Sequence, residues 1–525
     1  MHKILKRKHV GVLLPIFSMR SERDWGIGDI TSMHGWLEVL KAAELDILQI
    51  LPINEMPPGV NCPYTALSAF AIDPVYIDPE AVEELKESPE TLEFLASKDF
   101  RDRLHHVRSA KTILYDDIRG LKHETLWKIY AAFDRNHIRR GTKEGKDFQT
   151  FCAKNAYWLE DYALFRRLKD VNRWISWTHW DQALGERRPE ALEKARAENA
   201  LEINYFKYLQ WLIRRQWAPM RWRAGELGIK LFGDLPFMVN QEAADVWSRQ
   251  NEFDISNSIG APPDAFTPEG QKWGLPAYRW EETEKNNFEW WRLKLKSSED
   301  LYDIYRIDHM VGFFRTWIVP EDKKLKPHFD VEGEENQEDR GRRFLKALVA
   351  SSPMLPIGED LGLIPPFVRK VLAEQGVPGY KVMRWETKED GTYIDPADYP
   401  HVSLATTSTH DTETLAEWWT SVAYAEKKKF WEMVAGHGTG ASAGESRPPA
   451  FAKALDRITE KVISSGSRVV LLTFPDIFGT KDRINTPNTL GPHNWSFRSP
   501  VPLEKFVQKH APMLEKLARW IREAR

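Results

Sequence analysis

Eight short β-rich runs recur along the chain, most of them ending in polar or charged residues. They are GVLLPIF (11–17), DILQILP (46–52), KLFGDLPFM (230–238), YRIDHM (305–310), LPIGEDL (355–361), YKVMRW (380–385), VSLATTSTHD (402–411) and RVVLLTFPD (468–476). Amphipathic stretches at 35–44, 206–227 and 366–375 lie between them. Apolar strands alternating with helices imply a parallel sheet covered by helices. Eight such units predict an α/β chain folded as a (β/α)8 TIM barrel.

A barrel of this kind needs roughly 250 residues, and the chain has 525. The remainder must be insertion. We read residues 1–525 as a single catalytic barrel chain carrying a large, mostly helical inserted subdomain over about 79–204, after strand 2. A second insertion, 240–300, holds the proline- and glycine-rich loop GAPPDAFTPEGQKWGLP (260–276), so loop insertions surround the active-site face. The small polar segment HGTGASAGESRPP (437–449) reads as a surface loop.

Composition removes several classes of function. A net charge of −3 and a pI of about 6.6 point to neither nucleic acid nor an anionic membrane as partner. Two cysteines, Cys62 and Cys152, exclude a disulfide framework and the common cysteine zinc sites. The N-terminus is basic and then apolar, but the apolar run is short and no small-residue cleavage site follows. No apolar stretch approaches the ~18 residues of a membrane span, so a cytoplasmic globular protein is expected. The 22 tryptophans serve either a large core or sugar platforms, and composition favours the core.

In a barrel, residues at the C-terminal ends of the strands face the active site. Asp234, Asp308, Glu359, Asp360, Asp411 and Asp476 occupy such ends. Singly, each reads equally as a salt-bridge partner or a helix N-cap. His309 and His410 beside two of them raise a metal site as a rival, yet no HxH, HExxH or DxDxDG spacing is present. No G-x-S-x-G elbow stands at a strand-to-helix turn, and no P-loop or GxGxxG follows a strand.

Glycoside chemistry fits the carboxylates better. It needs one carboxylate to attack the anomeric carbon and a second, held protonated, to donate to the leaving oxygen. Arg306 lies two residues before Asp308, on the same strand face, where a guanidinium favours an ionised nucleophile. The same pair reads otherwise as a buried structural ion pair. Glu359 follows apolar Leu355, Pro356 and Ile357, where burial favours the protonated form that a general acid requires.

YRIDHMVGF, IGEDLG, TSTHDTET and GDLPFMV occur in the order seen in glycoside hydrolase family 77, the 4-α-glucanotransferases called amylomaltase or disproportionating enzyme. GVLLPIFSMRSERDWGIGDI (11–30), PYTALSAFAIDPVYID (63–78) and RINTPNTLGPHNWSFR (483–498) carry the resemblance nearly end to end. The resemblance implies a retaining enzyme that moves α-1,4-linked glucosyl or maltooligosyl units to the 4-hydroxyl of an acceptor sugar. Asp308 matches the nucleophile, Glu359 the general acid/base and Asp411 the third carboxylate, which grips sugar hydroxyls. Tyr64, Asp234, Arg306 and His410 match the donor-glucose site. Asp264, Phe266 and Trp273 belong to the loop facing the acceptor, and Trp385 and Asn485 are further substrate contacts. Maltose, maltooligosaccharides and other α-1,4-glucans are the implied partners. No cofactor or metal is expected, because the carboxylates supply both acid and nucleophile.

Departures from the family pattern fall on the acceptor side and beyond. Ala265 stands for a frequent tyrosine, Leu275 for asparagine and Trp385 for phenylalanine. Asn488 replaces a usual glycine, and Phe474-Pro475-Asp476 replaces a glutamine–aspartate pair. They leave acceptor choice, product length and cyclisation open; an α-glucan hydrolase of the same mechanism is the second reading, and an inactive glucan-binding protein is the alternative from another class.

Overall fold

The computed structural model describes residues 1–263, 268–436, 447–487, 489 and 491–525. Eight parallel strands close into a barrel: β1 His9–Leu13, β2 Ile47–Gln49, β3 Lys230–Leu235, β4 Ile304–Ile307, β5 Leu355–Gly358, β6 Gly379–Val382, β7 Ser403–Thr406 and β8 Val469–Thr473. Each pairs with the next in chain order, and β8 closes on β1 with Val10 opposite Val470. β1, β2, β4, β5, β7 and β8 are buried at every residue. Helices cover the outside while side chains fill the inside, which is why the strands read as apolar runs without alternation.

All eight runs read from the sequence fall on barrel strands, but most extend beyond the C-terminal end of the strand. The chain stays buried past the last ladder bond, as at Pro236–Val239, so the apolar pattern continues where pairing has stopped. The connection from β6 to β7 has no α-helix, only the 3-10 turn Pro396–Asp398.

Between β2 and β3 the chain runs through helices Pro89–Ala96, Lys98–Ser109, Tyr115–Phe133, Lys143–Lys154, Ala156–Val171 and Pro189–Glu198. It returns along the 27-residue helix Ala200–Glu226. After β3, the two ends of the segment read as a loop over 260–276 belong instead to an antiparallel hairpin, Phe253–Ala261 with Gln271–Tyr278. Its prolines and glycines suggested irregular chain, but Gly260 pairs with Lys272 and Ala261 with Gln271 as strand neighbours. Trp317–Pro320 and His328–Phe329, from the chain after β4, complete a four-stranded sheet. Among the described residues, no helix is long and apolar enough to cross a membrane.

Most tryptophans are core. Trp25, Trp36, Trp217, Trp247, Trp290 and Trp291 are all fully buried. Trp36, on helix Ile30–Ala42, packs edge-on against Phe506 of the final helix Leu503–Ala524, with ring centres 4.6 Å apart. The two ends of the chain thus share one layer over the barrel.

Gly233 of β3 lets the Tyr302 ring lie against the strand; a Cβ there would stand 2.3 Å from that ring. Gly233→Ala must therefore displace a fully packed side chain. It should lower unfolding free energy by about 1–3 kcal/mol, measured as a reduced denaturant midpoint at unchanged slope.

Candidate active site

Three adjacent strands deliver one cation and three carboxylates to the C-terminal mouth of the barrel. Asp234 of β3 and Arg306 of β4 are register partners, so on parallel neighbours their side chains leave the sheet together. Asp308 lies one residue beyond the end of β4, two beyond Arg306 on the same face. Glu359 lies one residue beyond β5, its backbone locked to β4 by Glu359 N–H donating to Ile307 O and Met310 N–H to Glu359 O, at 3.0 and 3.1 Å.

The buried Arg306 guanidinium gathers them. Its Nη1 stands 3.0 and 2.9 Å from the two Asp234 oxygens and 2.8 Å from Asp308 Oδ1, and its Nη2 3.7 Å from Glu359 Oε2. Phe237 N–H donates to the other Asp308 oxygen, Oδ2, at 3.4 Å.

Glu359 accepts from His309 N–H at 2.9 Å and Leu361 N–H at 3.3 Å. Burial raises its pKa to about 7; Arg306 opposes the shift and the Asp308 charge adds to it. His309 achieves its contact from a left-handed backbone, φ 45°, a strained conformation for a side chain of its size. Burial pulls its imidazole down to about 4, and its ring meets Trp273 of the hairpin edge-on at 4.8 Å.

A second chain of contacts leads to Asp411. Tyr64 Oη donates to Asp234 Oδ2 at 2.8 Å and lies 3.1 Å from His410 Nε2. The Tyr64 and His410 rings stack with centres 5.6 Å apart. His410 Nε2 lies 3.1 Å from Asp411 Oδ2, and Asn485 Nδ2 donates to Asp411 Oδ1 at 2.6 Å. Burial alone would raise Asp411; His410 and the Asn485 amide overcome it and hold the carboxyl down at about 2.

The structure therefore separates the six strand-end carboxylates. Asp234, Asp308 and Glu359 meet at Arg306, and Asp411 joins them through Tyr64 and His410. Asp360 instead accepts from Tyr380 N–H at 2.7 Å and from Arg369 at 3.2 Å, tying β5 to β6. Asp476 accepts from Thr407 Oγ1 at 2.6 Å and Leu415 N–H at 2.7 Å. Both are structural, the reading each carboxylate admitted when taken alone.

Trp385 stands in the turn after β6, 47% exposed, with Arg384 6.0 Å from its ring centre; among the described residues no contact ties it to the Arg306 cluster. Asp264, Ala265 and Phe266, and Asn488 near the other end, lie outside the described residues. Sequence reasoning missed the Phe237 and His309 amides, since backbone donors carry no residue signature. It also missed Trp495, whose ring centre lies 5.7 Å from Tyr64 and 5.8 Å from His410, although the segment containing it resembled the family. Among the described residues, no group of three or more His, Cys, Asp or Glu side chains could hold a metal ion.

Three carboxylates share one guanidinium here, and one of them, Glu359, keeps its proton near neutrality. Such an arrangement can protonate a leaving oxygen while attacking the carbon it leaves.

The family model described as 4-alpha-glucanotransferase matches residues 14–504. Similar proteins include the 4-alpha-glucanotransferase of Synechocystis, 30% identical over 531 residues covering 98% of each chain. That of Chlamydia pneumoniae is 28% identical over 527 residues, 95% of this chain and 93% of the other. In fold, the chain is similar to the amylomaltase of Streptococcus agalactiae solved with acarbose, with a TM-score of 0.81, 24% identity and coverage of 98% and 99%. The amylomaltase of Corynebacterium glutamicum gives the same TM-score, 0.81, at 20% identity, covering 99% of this chain and 76% of that one. The closed barrel, the family match over nearly the whole chain and the carboxylates at its mouth agree, and this chain belongs to the 4-alpha-glucanotransferase family, glycoside hydrolase family 77.

Proposed function

We propose that Asp308 attacks the anomeric carbon of a donor α-1,4-glucan while Glu359 protonates the departing glycosidic oxygen. The product of that step is a covalent glycosyl–Asp308 ester. Glu359, now ionised, takes the proton from the 4-hydroxyl of an acceptor sugar, which displaces Asp308 and restores the α-linkage. Two inversions give retention, and the chemistry asks for carboxyl groups about 5–5.5 Å apart. The observation that carries this reading is the shared guanidinium. Arg306 bonds Asp308 directly, whereas Glu359 sits at the guanidinium's edge and stays protonated up to about pH 7.

The remaining roles are those the family resemblance implies, and the observed contacts support several of them. Asp411, held ionised by His410 and Asn485, grips donor hydroxyls and helps distort the ring. Asp234, Arg306, Tyr64 and His410 bind the donor glucose and Trp273 on the hairpin serves the acceptor, a role the family resemblance extends to Asp264 and Phe266. Asn485 supports Asp411, and Trp385 offers an outer sugar platform. Transfer wins over hydrolysis when the hairpin excludes water and seats the acceptor hydroxyl. The inserted helices of 79–204 act as a subdomain walling one side of a single catalytic unit, 1–525. We assign the enzyme to cytoplasmic metabolism of maltose, maltooligosaccharides and related α-1,4-glucans.

Maltotriose as sole substrate should give glucose and a ladder of longer oligomers with almost no new reducing ends. A steady rise in reducing ends without longer products would identify a hydrolase. Asp308→Ala should lower transfer at least about a thousandfold, and unimpaired transfer would refute the assignment.

The pH dependence has a defined sign. Glu359 must be protonated to act on the donor, so kcat/KM should decline as pH rises through about 7. Glu359→Gln should abolish transfer from maltotriose rather than move that limb. Excess chelator should leave the rate unchanged; loss restored by one metal ion would overturn a metal-free mechanism.

A further inference from the structure

Two consecutive carbonyls beyond β3 are each gripped by a buried side chain from the insertion that follows. The Lys294 ammonium, on helix Glu289–Ser298, donates to Pro236 O at 2.8 Å. The Tyr278 hydroxyl, at the end of the hairpin, donates to Phe237 O at 2.6 Å. The peptide joining Pro236 to Phe237 is one rigid plane whose C=O and N–H point in opposite directions. Lys294 holds its carbonyl end, and its other end is the N–H that donates to Asp308 Oδ2 at 3.4 Å.

Lys294 is a costly residue for a core. It is 1% exposed, and no carboxylate pairs with it among the described residues. Asp245, which faces it from helix Ala244–Ser248, is engaged by Trp290 Nε1 at 2.7 Å and Ala69 N–H at 3.0 Å. The faces of Trp291 and Trp290 lie 4.3 and 5.2 Å from the ammonium. Burial lowers its pKa to about 7 against the pull of Asp245, Asp308 and Asp234. A methionine of similar length would pack there without that desolvation cost. What the ammonium gains there is the Pro236 carbonyl, which belongs to the peptide that reaches Asp308.

We propose that Lys294 is a positioning residue for Asp308: through the Pro236–Phe237 peptide it aims and polarises the amide that holds Oδ2, while Tyr278 fixes the far side of the same turn. Arg306 holds Oδ1 from the barrel side, so the two donors together set the plane of the carboxylate. A cation on the carbonyl strengthens the N–H at the other end of the peptide as a donor. The 3.4 Å separation leaves room for that bond to tighten as the substrate docks. This inference rests on Asp308 being the nucleophile.

The test measures covalent labelling by a 5-fluoro-α-glucosyl fluoride, with the labelled peptide located by mass spectrometry, alongside kcat, KM and pH profiles on maltotriose. Lys294→Met should label Asp308 about tenfold or more slowly and lose a similar factor in kcat, with KM changed less than about twofold. Its acidic limb should move to higher pH, because the ionised nucleophile has lost support. Tyr278→Phe should shift labelling in the same direction by less. A role confined to folding would lower melting temperature but leave rate constant and pH profile alone. Labelling of Asp308 at the parental rate in both variants would overturn the proposal. If Lys294→Met fails to fold, an unchanged rate and profile in Tyr278→Phe would do the same. A label on another residue in the parent enzyme would instead defeat the assignment of the nucleophile.

Discussion

Everything at the mouth of this barrel depends on the Arg306 guanidinium. Three carboxylates from three strands converge on it, two of them within 3 Å, in a site where an unpaired charge would be prohibitively expensive. Burial works against these charges, and for Asp234 and Glu359 it outweighs the pull of Arg306 and raises both. Glu359 is 3.7 Å away and keeps its proton to about pH 7. In the proposed mechanism Glu359 serves as the acid because burial outweighs the pull of an arginine at that distance. The distances are set by strand register, with Arg306 opposite Asp234 on β3 and Ile357 on β5.

The neighbouring carboxylate shows the same principle with the opposite outcome. The Asp411 side chain is 42% exposed, and His410 and the Asn485 amide take its carboxyl down to about 2 against the opposing effect of desolvation. Tyr64 connects the two systems by bonding Asp234 and His410 with one hydroxyl. The loop after β2 therefore clasps the cluster built by β3, β4 and β5. Its ring, stacked on His410, cannot move without disturbing both.

Much of this was legible in the sequence, and the boundary of legibility has physical causes. Period-2 spacing placed Arg306 beside Asp308 correctly, because the strand continues almost to the carboxylate. The barrel was readable since parallel strands buried on both faces leave uninterrupted apolar runs. Nothing local separated Asp360 or Asp476 from Asp308, since all follow apolar runs at strand ends; only the neighbours that they cap, Tyr380 and Leu415, tell them apart. The Asn485–Asp411 bond spans 74 residues, and no periodicity reaches so far. The arms of the hairpin were hidden because proline and glycine signal loop, whereas antiparallel pairing of Gly260 with Lys272 needs only backbone.

That hairpin binds together the two halves of the reaction. Trp273, on its second strand, rests on the His309 ring at 4.8 Å, and the His309 amide bonds Glu359. Five residues along the same strand, Tyr278 grips the carbonyl of Phe237, whose amide meets Asp308. One strand thus touches both catalytic carboxylates of the proposed mechanism, each through a single backbone amide. Any displacement of the hairpin would therefore reach Glu359 through His309 and Asp308 through Phe237. His309 is already strained at φ 45°, so its amide has little freedom to absorb such a shift independently. In the proposed mechanism the anchoring of this strand therefore bears on both carboxylates, alongside the aromatic surface it presents.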